Sequence, residues 1–569
     1  MNNTKTITPL KRFFNLLKEE RDQVYSIYFY AILNGLVALS LPLGIQAILN
    51  YVLGGRISTS WVILVLIVAA GIAFGGFLQI SQLQITEKLQ QRIFSKAGLS
   101  LAYRLPKIKS ELFHGKYAPE IVNRFFDTVN LQKGVSKILV EYSTALIQVI
   151  FGLILLSFYH STFILFGIVL VLILVTIFYF TSPKGMSTAL KESTHKYETA
   201  YWLEEIGRTV NTFKLVGGNS KLPILRVDKL LKHYVEFRTH HFSVLIFQYK
   251  VLIGFKVLIV TSLLVAGSLL LINGQISIGQ FVAAEVIIVM VVNSVEKLII
   301  SLETVYDTLV ASEKLGQIMD MELEDHNESE KDITNQSVGI QLAMENVIFQ
   351  PRDVRKPILN GITVKIESGS KTVITGKSGS GKSAMLALFS GLYQSYQGKV
   401  KVNDLPLEMI HLDKYRSVVG DCMELQQIFH GTIAENILVG RESDPEQLKF
   451  IIELVGLKEY IYQLPDDLDT ILLPEGRGLS RKLAQAIILA RALMGEPQAL
   501  FLENAFQHVD LEIRSRVMSY LFGGSWTMLT VTQDEEVIKH ANQVIVLQEG
   551  NIIYQGNQAG YQHFLTLKS

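Results

Sequence analysis

The strongest candidate for chemistry is a glycine-rich run at residues 376–383, which reads GKSGSGKS and fits the pattern G-x-x-x-x-G-K-S. Glycines let the backbone wrap closely around a phosphate, so that several N–H groups point at it. The spacing lets the lysine reach the β and γ phosphates of a nucleotide and lets the last serine hydroxyl bind Mg²⁺. The nucleotide contacts predicted in this loop are Gly376, Ser378, Gly379, Ser380, Gly381, Lys382 and Ser383, with Ser383 also a ligand of Mg²⁺.

A phosphate loop of this kind needs a strand before it and a helix after it. Residues 371–375 read as a buried strand, and residues 384–389 read as an apolar helix. From about residue 338 onward, short β-like runs alternate with helical patterns, as in an α/β domain. The sequence therefore predicts a soluble nucleotide-binding domain over 338–569.

The composition of the remaining chain is unusual for a soluble protein. Charged residues make up 18% of the 569 residues, against about 25% in ordinary soluble domains, and the mean hydropathy is +0.30. The net charge of +1 excludes a strongly basic nucleic-acid binder, so no nucleic-acid partner is expected. A single cysteine, Cys422, excludes an internal disulfide framework and a Cys-ligated zinc site.

Six apolar runs in the first half each approach the 20 or so residues that cross a bilayer. Between residues 24 and 85 the only formal charge is Arg56. Buried helices of a large soluble protein explain this pattern poorly, because six such runs need lipid around them. We therefore predict six transmembrane helices, at about 24–52, 60–85, 138–159, 161–182, 244–272 and 277–301.

The distribution of basic residues sets the predicted orientation. The links after spans one, three and five are short and carry only Arg56, whereas the links 86–137 and 183–243 are long and rich in lysine and arginine. By the positive-inside rule, the long links and both termini are cytoplasmic. Long cytoplasmic links predict membrane helices that continue into the cytoplasm.

Four segments follow from these patterns. Residues 1–23 read as a cytoplasmic amphipathic helix at the membrane surface. Residues 24–317 form the six-span transmembrane domain with long cytoplasmic helical extensions, and 318–337 is a polar linker. The nucleotide-binding domain occupies 338–569.

Six spans followed by one phosphate-loop domain resemble half of an exporter of the ATP-binding-cassette superfamily. More narrowly, the chain resembles the transporter subunits of bacterial type I secretion and bacteriocin-export systems. The likeness covers nearly the whole chain, and its supporting runs are LPLGIQ at 41–46, IGQ at 278–280 and GTIAENI at 431–437. The resemblance implies the α-helical membrane domain of a type I exporter joined to a cytoplasmic α/β P-loop NTPase domain.

The same resemblance implies cofactors and partners. They are ATP and Mg²⁺, a second half-transporter in a homodimer or heterodimer, the lipid bilayer of a bacterial cytoplasmic membrane and a peptide or protein cargo. A secretion system would add a membrane-fusion adaptor and an outer-membrane channel.

The signature loop of the superfamily, L-S-G-G-Q, is altered here. Residues 479–483 read LSRKL, so Ser480 remains while Arg481 and Lys482 replace both glycines. Arginine and lysine do not allow the backbone to approach a γ-phosphate as glycine does. An alternative is that Arg481 and Lys482 bind phosphate through their charges.

Other catalytic positions of the resemblance are also altered. Glu503 ends a predicted strand and can still hold Mg²⁺ through water, but Asn504 replaces the general base. An amide can position a water molecule but cannot deprotonate it near pH 7. Gln533 stands in place of the histidine that contacts the γ-phosphate, and Glu424 in place of the glutamine of the loop that faces the membrane domain.

Two further positions differ in the same domain. The aromatic residue that stacks on adenine falls near Pro351, where Phe349 is the nearest aromatic side chain, and the turn after the acidic motif keeps only Asp510. General acid–base help is worth about 10²–10⁴-fold in rate, so these changes predict ATP binding with slow or absent hydrolysis. Two alternatives stay open: a non-hydrolysing regulatory or scaffold partner of an intact half-transporter, and an active ATPase with Glu503 as base.

Two features of the membrane domain bear on coupling and on the substrate path. Segments around 113–123 and 203–213 resemble the short helices that dock on the cassettes, the second on the partner's cassette. Lys256 and Glu296 lie at similar depth at 1.5 Å per residue, which predicts an ion pair. Glu285 either lines the substrate path or makes an interhelical hydrogen bond, and Gln46, Asn50 and Asn293 carry the same ambiguity.

Overall fold

The computed structural model describes residues 8–55, 59–113, 118–216, 220–324, 339–351, 354–424, 427–507 and 509–568. The described residues form two compact units. One is drawn from Met1–Pro106 and Tyr117–Met321, and the other from Lys107–Lys116 and Glu322–Ser569.

The described residues of the first unit form helices joined by short connections. Its α-helices are α1 (Pro9–Glu19), α2 (Arg21–Ala38), α3 (Ser40–Leu53), α4 (Thr59–Arg104), α5 (Ala118–Asn123), α6 (Asp127–Lys137), α7 (Ser143–Tyr159), α8 (Ser161–Arg208), α9 (Val210–Leu215), α10 (Leu222–Ile272), α11 (Ile278–Ile300) and α12 (Leu302–Met319). A π-helical turn at Ile138–Tyr142 joins α6 to α7.

Six helical segments are long and apolar enough to cross a membrane, which confirms the predicted number. They are Arg21–Leu53, Thr59–Lys107, Pro119–Tyr159, Ser161–Arg208, Leu222–Ile272 and Ile278–Met319. At 1.5 Å per residue, the 51 residues of α10 extend about 75 Å, more than twice the hydrocarbon thickness of a bilayer. The longest helices therefore continue well beyond the membrane, as the long links predict.

The core of this unit lies between α7, α8, α10 and α11. Leu156, Phe163, Leu170 and Ile287 are fully buried there. Large apolar side chains on the outer faces of the same helices are exposed, among them Tyr179 at 75%. An exposed apolar surface of this extent is stable in lipid and not in water.

The N-terminal helix packs on the last helix of the unit. Arg12 of α1 forms two ion pairs. Its Nε lies 3.0 Å from Glu313 Oε2 within α12, and its Nη2 lies 2.5 Å from Oδ2 of Asp320, the residue after α12. Phe13 is buried in the same contact. Gly316 faces the Arg12 guanidinium, where a Cβ would lie 2.3 Å from Nη1.

The predicted ion pair between two membrane helices is confirmed. Lys256 Nζ of α10 lies 3.0 Å from Glu296 Oε2 of α11, and the Tyr249 hydroxyl donates to the other carboxylate oxygen at 3.3 Å. Among the polar residues with an ambiguous role, Gln46 accepts a hydrogen bond from the Tyr159 hydroxyl at 2.6 Å. Glu285 is half-buried.

Replacing Glu296 by glutamine will destabilise the membrane domain, because Lys256 then keeps its charge without a counter-charge. Breaking a fully buried pair costs about 3–5 kcal/mol, and we expect about 2 kcal/mol here because the pair is part-exposed. Thermal unfolding in lipid nanodiscs measures the loss. Glu285→Gln is the matched control; an equal loss in both variants would show that the pair contributes nothing specific.

The second unit contains the strands of an α/β domain. They are β1 (Leu342–Phe349), β2 (Leu359–Ile366), β3 (Lys371–Gly376), β4 (Gln397–Val402), β5 (Leu405–Pro406), β6 (Val419–Cys422), β7 (Gly431–Thr432), β8 (Ile471–Leu472), β9 (Ala499–Glu503), β10 (Thr527–Val531), β11 (Gln543–Gln548) and β12 (Asn551–Gly556). The largest sheet has the order β12-β11-β3-β10-β9-β6, and a second sheet has the order β2-β1-β4-β5.

The second unit also contains nine α-helices among its described residues. They are α13 (Lys382–Phe389), α14 (Leu412–Ser417), α15 (Ile433–Leu438), α16 (Pro445–Leu454), α17 (Lys458–Ile461), α18 (Arg481–Leu493), α19 (Leu511–Gly523), α20 (Glu535–Lys539) and α21 (Gln558–Lys568). Successive residues of β3 enter different cores, Val373 with the helices around α18 and Ile374 with α13 and the second sheet. A strand that is buried on both faces has a nearly continuous apolar sequence. This agrees with the buried strand predicted at 371–375.

A short segment from the first long link belongs to the second unit. Ile108 forms a β-bridge with Leu323, and Glu111 Oε1 accepts hydrogen bonds from the backbone N–H groups of Gln394 and Ser395. Arg416 pairs with Glu324 at 2.6 Å.

The predicted docking segments contain short helices at Ser110–Phe113, Ala118–Asn123 and Val210–Leu215. Most of the predicted linker, 318–337, lies outside the described residues. Its first two residues belong to α12, which ends at Met319.

Candidate nucleotide site

The carboxyl ends of four parallel strands meet at one edge of the largest sheet. The phosphate loop follows β3, Glu503 ends β9, Gln533 follows β10 and Glu424 follows β6. Ligands of open α/β sheets bind outside the carboxyl ends of the strands. A cavity of about 530 Å³ opens at this edge.

Most of the predicted site residues line this cavity. They are Ser378, Gly379, Gly381, Lys382, Ser383, Glu424, Glu503, Asn504 and Gln533. Gly376 and Ser380 belong to the same loop, where the Ser380 hydroxyl is buried without a hydrogen-bond partner among the described residues. Ser480 is not among the described residues that line the cavity; it begins α18 instead.

Two glycines of the loop hold conformations that only glycine adopts readily. Gly376 has φ 140° and Gly381 has φ 101°. A Cβ on Gly376 would lie 2.1 Å from the carbonyl oxygen of Leu547, and one on Gly381 would lie 2.9 Å from that of Ile358. Both glycines therefore lie so close to neighbouring backbone that a side chain would not fit at either position.

Gly376→Ala will destabilise the second unit by about 1–3 kcal/mol through backbone strain, with more from the collision with the Leu547 carbonyl. Thermal unfolding, read by the near-UV signal of the purified protein, measures this. Gly523→Ala is the control, because its Cβ meets nothing within 4 Å. Equal unfolding midpoints for the two variants would contradict the strained geometry.

The Lys382 ammonium group is held by hydrogen bonds to the backbone of the phosphate loop. It donates to the carbonyl oxygens of Gly376 at 3.0 Å and Lys377 at 2.8 Å. Burial lowers the pKa of this ammonium, and the nearby Glu503 carboxylate opposes that shift. The charge is thus partly desolvated, which strengthens its attraction for an anion.

The acidic residue of the site faces the loop serine. The Ser383 hydroxyl donates to Glu503 Oε1, and the Glu424 backbone N–H donates to Glu503 Oε2 at 3.1 Å. Glu503 is 6% exposed. A hydroxyl and a carboxylate side by side are the hard oxygen ligands that Mg²⁺ takes, so Ser383 and Glu503 fit the predicted metal role.

Asn504 and Gln533, which replace the general base and the histidine of the superfamily, are both amides and both line the cavity. Asn504 has φ 51°, a left-handed conformation that asparagine tolerates, and its N–H donates to the Val531 carbonyl at 3.0 Å. Gln533 donates through Nε2 to the Gly376 carbonyl at 3.0 Å. Neither side chain can accept a proton from water near neutral pH.

The altered signature loop forms a helix N-terminus. The Ser480 side chain accepts a hydrogen bond from the Leu483 N–H at 3.3 Å, which caps α18. Lys482 forms an ion pair with Asp510, and Arg481 is exposed. The sequence analysis did not predict the Lys482–Asp510 pair. The opposite charges of these residues, one in each of two altered motifs, could have suggested it.

Phe349 is the aromatic residue nearest to the position that stacks on adenine in the superfamily, and its side chain is turned into the core. Its ring is 2% exposed and stacks on Tyr393 at a centroid distance of 5.0 Å. Phe349 ends β1 on the buried face of the strand, so it packs in the core and not against a ligand.

Together, the six spans and the phosphate loop define a membrane protein with a P-loop nucleotide-binding domain. The family model described as "ABC transporter transmembrane region" matches residues 25–295, and the one described as "ABC transporter" matches residues 359–507. The chain therefore belongs to the ABC transporter family, as the sequence motifs predict.

Curated relatives and a solved structure agree with this assignment. The "Transport/processing ATP-binding protein ComA" of Streptococcus pneumoniae is 25% identical over 562 residues, covering 97% of this chain and 77% of ComA. The "ABC-type transmembrane transporter verA" of Clonostachys rogersoniana is 32% identical over 241 residues, and this chain spans only 19% of its length. The structure of a bacterial Atm1-family ABC exporter with ATP bound superimposes with a TM-score of 0.82 at 18% identity, covering 96% of each chain. The fold is thus that of an ABC exporter.

Proposed function

We propose that this chain is an exporter half-transporter that binds ATP and Mg²⁺ but hydrolyses ATP slowly or not at all. The observation that carries the proposal is one cavity in which an intact phosphate loop faces two amides, Asn504 and Gln533. Lys382 and Ser383 supply the contacts that bind phosphate and metal. Asn504 and Gln533 cannot take a proton from water near neutral pH. Of the two carboxylates that line the cavity, Glu503 accepts hydrogen bonds at both oxygens and Glu424 is exposed.

Glu503 supports this interpretation over an active ATPase. Both of its carboxylate oxygens accept hydrogen bonds, one from Ser383 and one from the Glu424 backbone. A carboxylate fixed in this way is placed to hold Mg²⁺, whose role is to orient the phosphates and neutralise their charge. Glu424 also lines the cavity, but it is exposed to solvent at the position that contacts the membrane domain in the superfamily.

The signature loop adds a second defect. The Lys482–Asp510 pair holds one of the two introduced charges within the same chain. That leaves Arg481 as the exposed cation of the loop for a partner's phosphate. A homodimer would carry every altered position twice. In a mixed dimer, one site would contain Asn504 and Gln533 of this chain, and the other site would contain its altered signature loop.

The proposed setting is a bacterial cytoplasmic membrane with both termini in the cytoplasm, because the basic residues lie in the long links. A second half-transporter completes the pathway, and the cargo is a peptide, a protein or another substrate. A membrane-fusion adaptor and an outer-membrane channel are companions if the system secretes. The alternative, a non-hydrolysing regulatory or scaffold partner of an intact half-transporter, is favoured by the same two amides.

Binding and turnover measured on one preparation in lipid test the proposal. We expect saturable ATP binding in the micromolar range, about −8 kcal/mol, with no vanadate-sensitive phosphate release above background. Turnover that survives Glu503→Gln but is lost in Lys382→Ala would remove Glu503 as base and contradict the proposed defect. Failure to bind ATP would leave a purely structural role.

A further inference from the structure

A cavity of about 430 Å³ lies inside the membrane unit, among α2, α4, α7, α11 and the π-helical turn that leads into α7. Cavities of about 300–1,000 Å³ are the size of small-ligand sites. Its lining includes one cation, Lys297, and one anion, Glu141, together with several primary amides. Charged side chains at the membrane are costly unless they face a cavity or each other.

The backbone next to this cavity is irregular. Glu141 lies within the π-helical turn Ile138–Tyr142, and Thr144 lies two residues after the end of the turn. π-helical turns inside helices are rare and occur frequently at functional sites. The Thr144 hydroxyl is buried with no hydrogen-bond partner among the described residues. An unpaired buried hydroxyl costs free energy, which a ligand group would recover.

Two amides leave complementary groups toward the cavity. Gln82 is 1% exposed and donates through Nε2 to the Ile27 carbonyl at 3.3 Å, so its carbonyl oxygen remains as an acceptor. Gln148 accepts from the Ser294 hydroxyl at 2.9 Å through Oε1, so its amide nitrogen remains as a donor. An acceptor and a donor of this kind match the N–H and C=O of a peptide group.

Lys297 and Glu141 give the cavity both signs of charge. Neither forms an ion pair with another described residue, and both are exposed. A ligand with a free carboxylate and a free ammonium would satisfy both. A zwitterionic phospholipid headgroup shares the two charges, but it has no peptide group for Gln82 and Gln148.

From these observations we infer that this cavity binds a zwitterionic peptide with free ends, and that it is the cargo site of the half-transporter. The inference rests on the proposed export function. It narrows the cargo from a peptide, a protein or another substrate to a zwitterionic peptide with free ends, and it assigns a site to that cargo. The peptide carboxylate meets Lys297, the ammonium meets Glu141, and a peptide unit pairs with Gln82 and Gln148.

Tetra-alanine is a suitable probe, because its small side chains make binding depend on the backbone and the ends. The full chain in phosphatidylglycerol nanodiscs is expected to unfold at a higher temperature with free-ended tetra-alanine than without it. The N-acetylated, C-amidated peptide should give a much smaller rise. Lys297→Met and Glu141→Gln should each raise the half-saturating concentration about tenfold, because each removes a charge-assisted hydrogen bond.

Controls separate this inference from the proposed function. Lys250→Met removes a charge that does not line the cavity, and Lys297→Arg keeps the charge. Both variants should respond to the peptide as the native chain does. ATP raises the unfolding temperature through the other unit, so a lost peptide response with an intact ATP response overturns only the cargo site, and the reverse overturns only the nucleotide proposal.

Three outcomes would overturn the inference. One is no peptide response up to the solubility limit of tetra-alanine. Another is an equal response to the free-ended and blocked peptides, or one unaffected by Lys297→Met and Glu141→Gln. The third is loss of the response when phosphatidylethanolamine replaces phosphatidylglycerol, which would show that a lipid headgroup fills the cavity.

Discussion

Exchange of Asn504 for glutamate together with Gln533 for histidine will raise the ATPase rate of the reconstituted chain by about 10²-fold, the lower end of what acid–base help contributes. The glutamate returns a base beside the phosphate loop, and the histidine returns a donor that contacts the γ-phosphate. The left-handed backbone at 504 will cost a glutamate about 1–2 kcal/mol, which is tolerable in a stable domain. Phosphate release measured in nanodiscs at saturating ATP reports the gain.

Two further variants make this result decisive. Adding Lys382→Ala to the pair should abolish the gain, because the gain depends on bound nucleotide. Adding Arg481→Gly and Lys482→Gly should raise the rate further if the signature loop limits it. A native chain that already turns over at about 1 s⁻¹ or faster, within the usual range of enzymes, would refute the defect.

Lys382→Ala will weaken ATP binding by about 10²-fold, which corresponds to the loss of a charged hydrogen bond of about 1.5–3 kcal/mol. The ammonium is already positioned at the loop by the carbonyls of Gly376 and Lys377, so it needs little rearrangement to meet a phosphate. Equilibrium titration with ATP, with and without Mg²⁺, measures the change.

Lys377 provides the matched control, because it is a lysine of the same loop that is exposed and does not line the cavity. Lys377→Ala should bind ATP within about twofold of the native chain, as surface substitutions usually change free energies by less than 0.5 kcal/mol or so. Equal losses in the two variants would indicate a general effect of positive charge and not a contact of Lys382.

The features that the sequence predicted well depend on local patterns or simple geometry. The phosphate loop at 376–383 is contiguous, and the strand and helix around it follow from apolar runs. The six membrane helices follow from length and hydropathy. The Lys256–Glu296 pair needed only the rise per residue of two antiparallel helices.

The features that the sequence did not predict depend on contacts between distant residues. The π-helical turn at Ile138–Tyr142 has no composition signal, because hydropathy does not distinguish i→i+5 from i→i+4 hydrogen bonding. The stack of Phe349 on Tyr393 and the Lys482–Asp510 pair require knowledge of which loops meet. Gln82 and Gln148 of the membrane cavity lie on different helices, so only the packing brings them together.

The two ion pairs of Arg12 attach α1 to the C-terminal end of α12, so the two helices are expected to move together. A slide of α12 by one turn, about 5.4 Å, would exceed the reach of both contacts, so α1 must travel with it or detach. A fluorophore attached ahead of Pro9 would therefore report displacement of α12 during a transport cycle. The Arg12→Ala variant would uncouple that signal and leave the fluorophore insensitive to nucleotide.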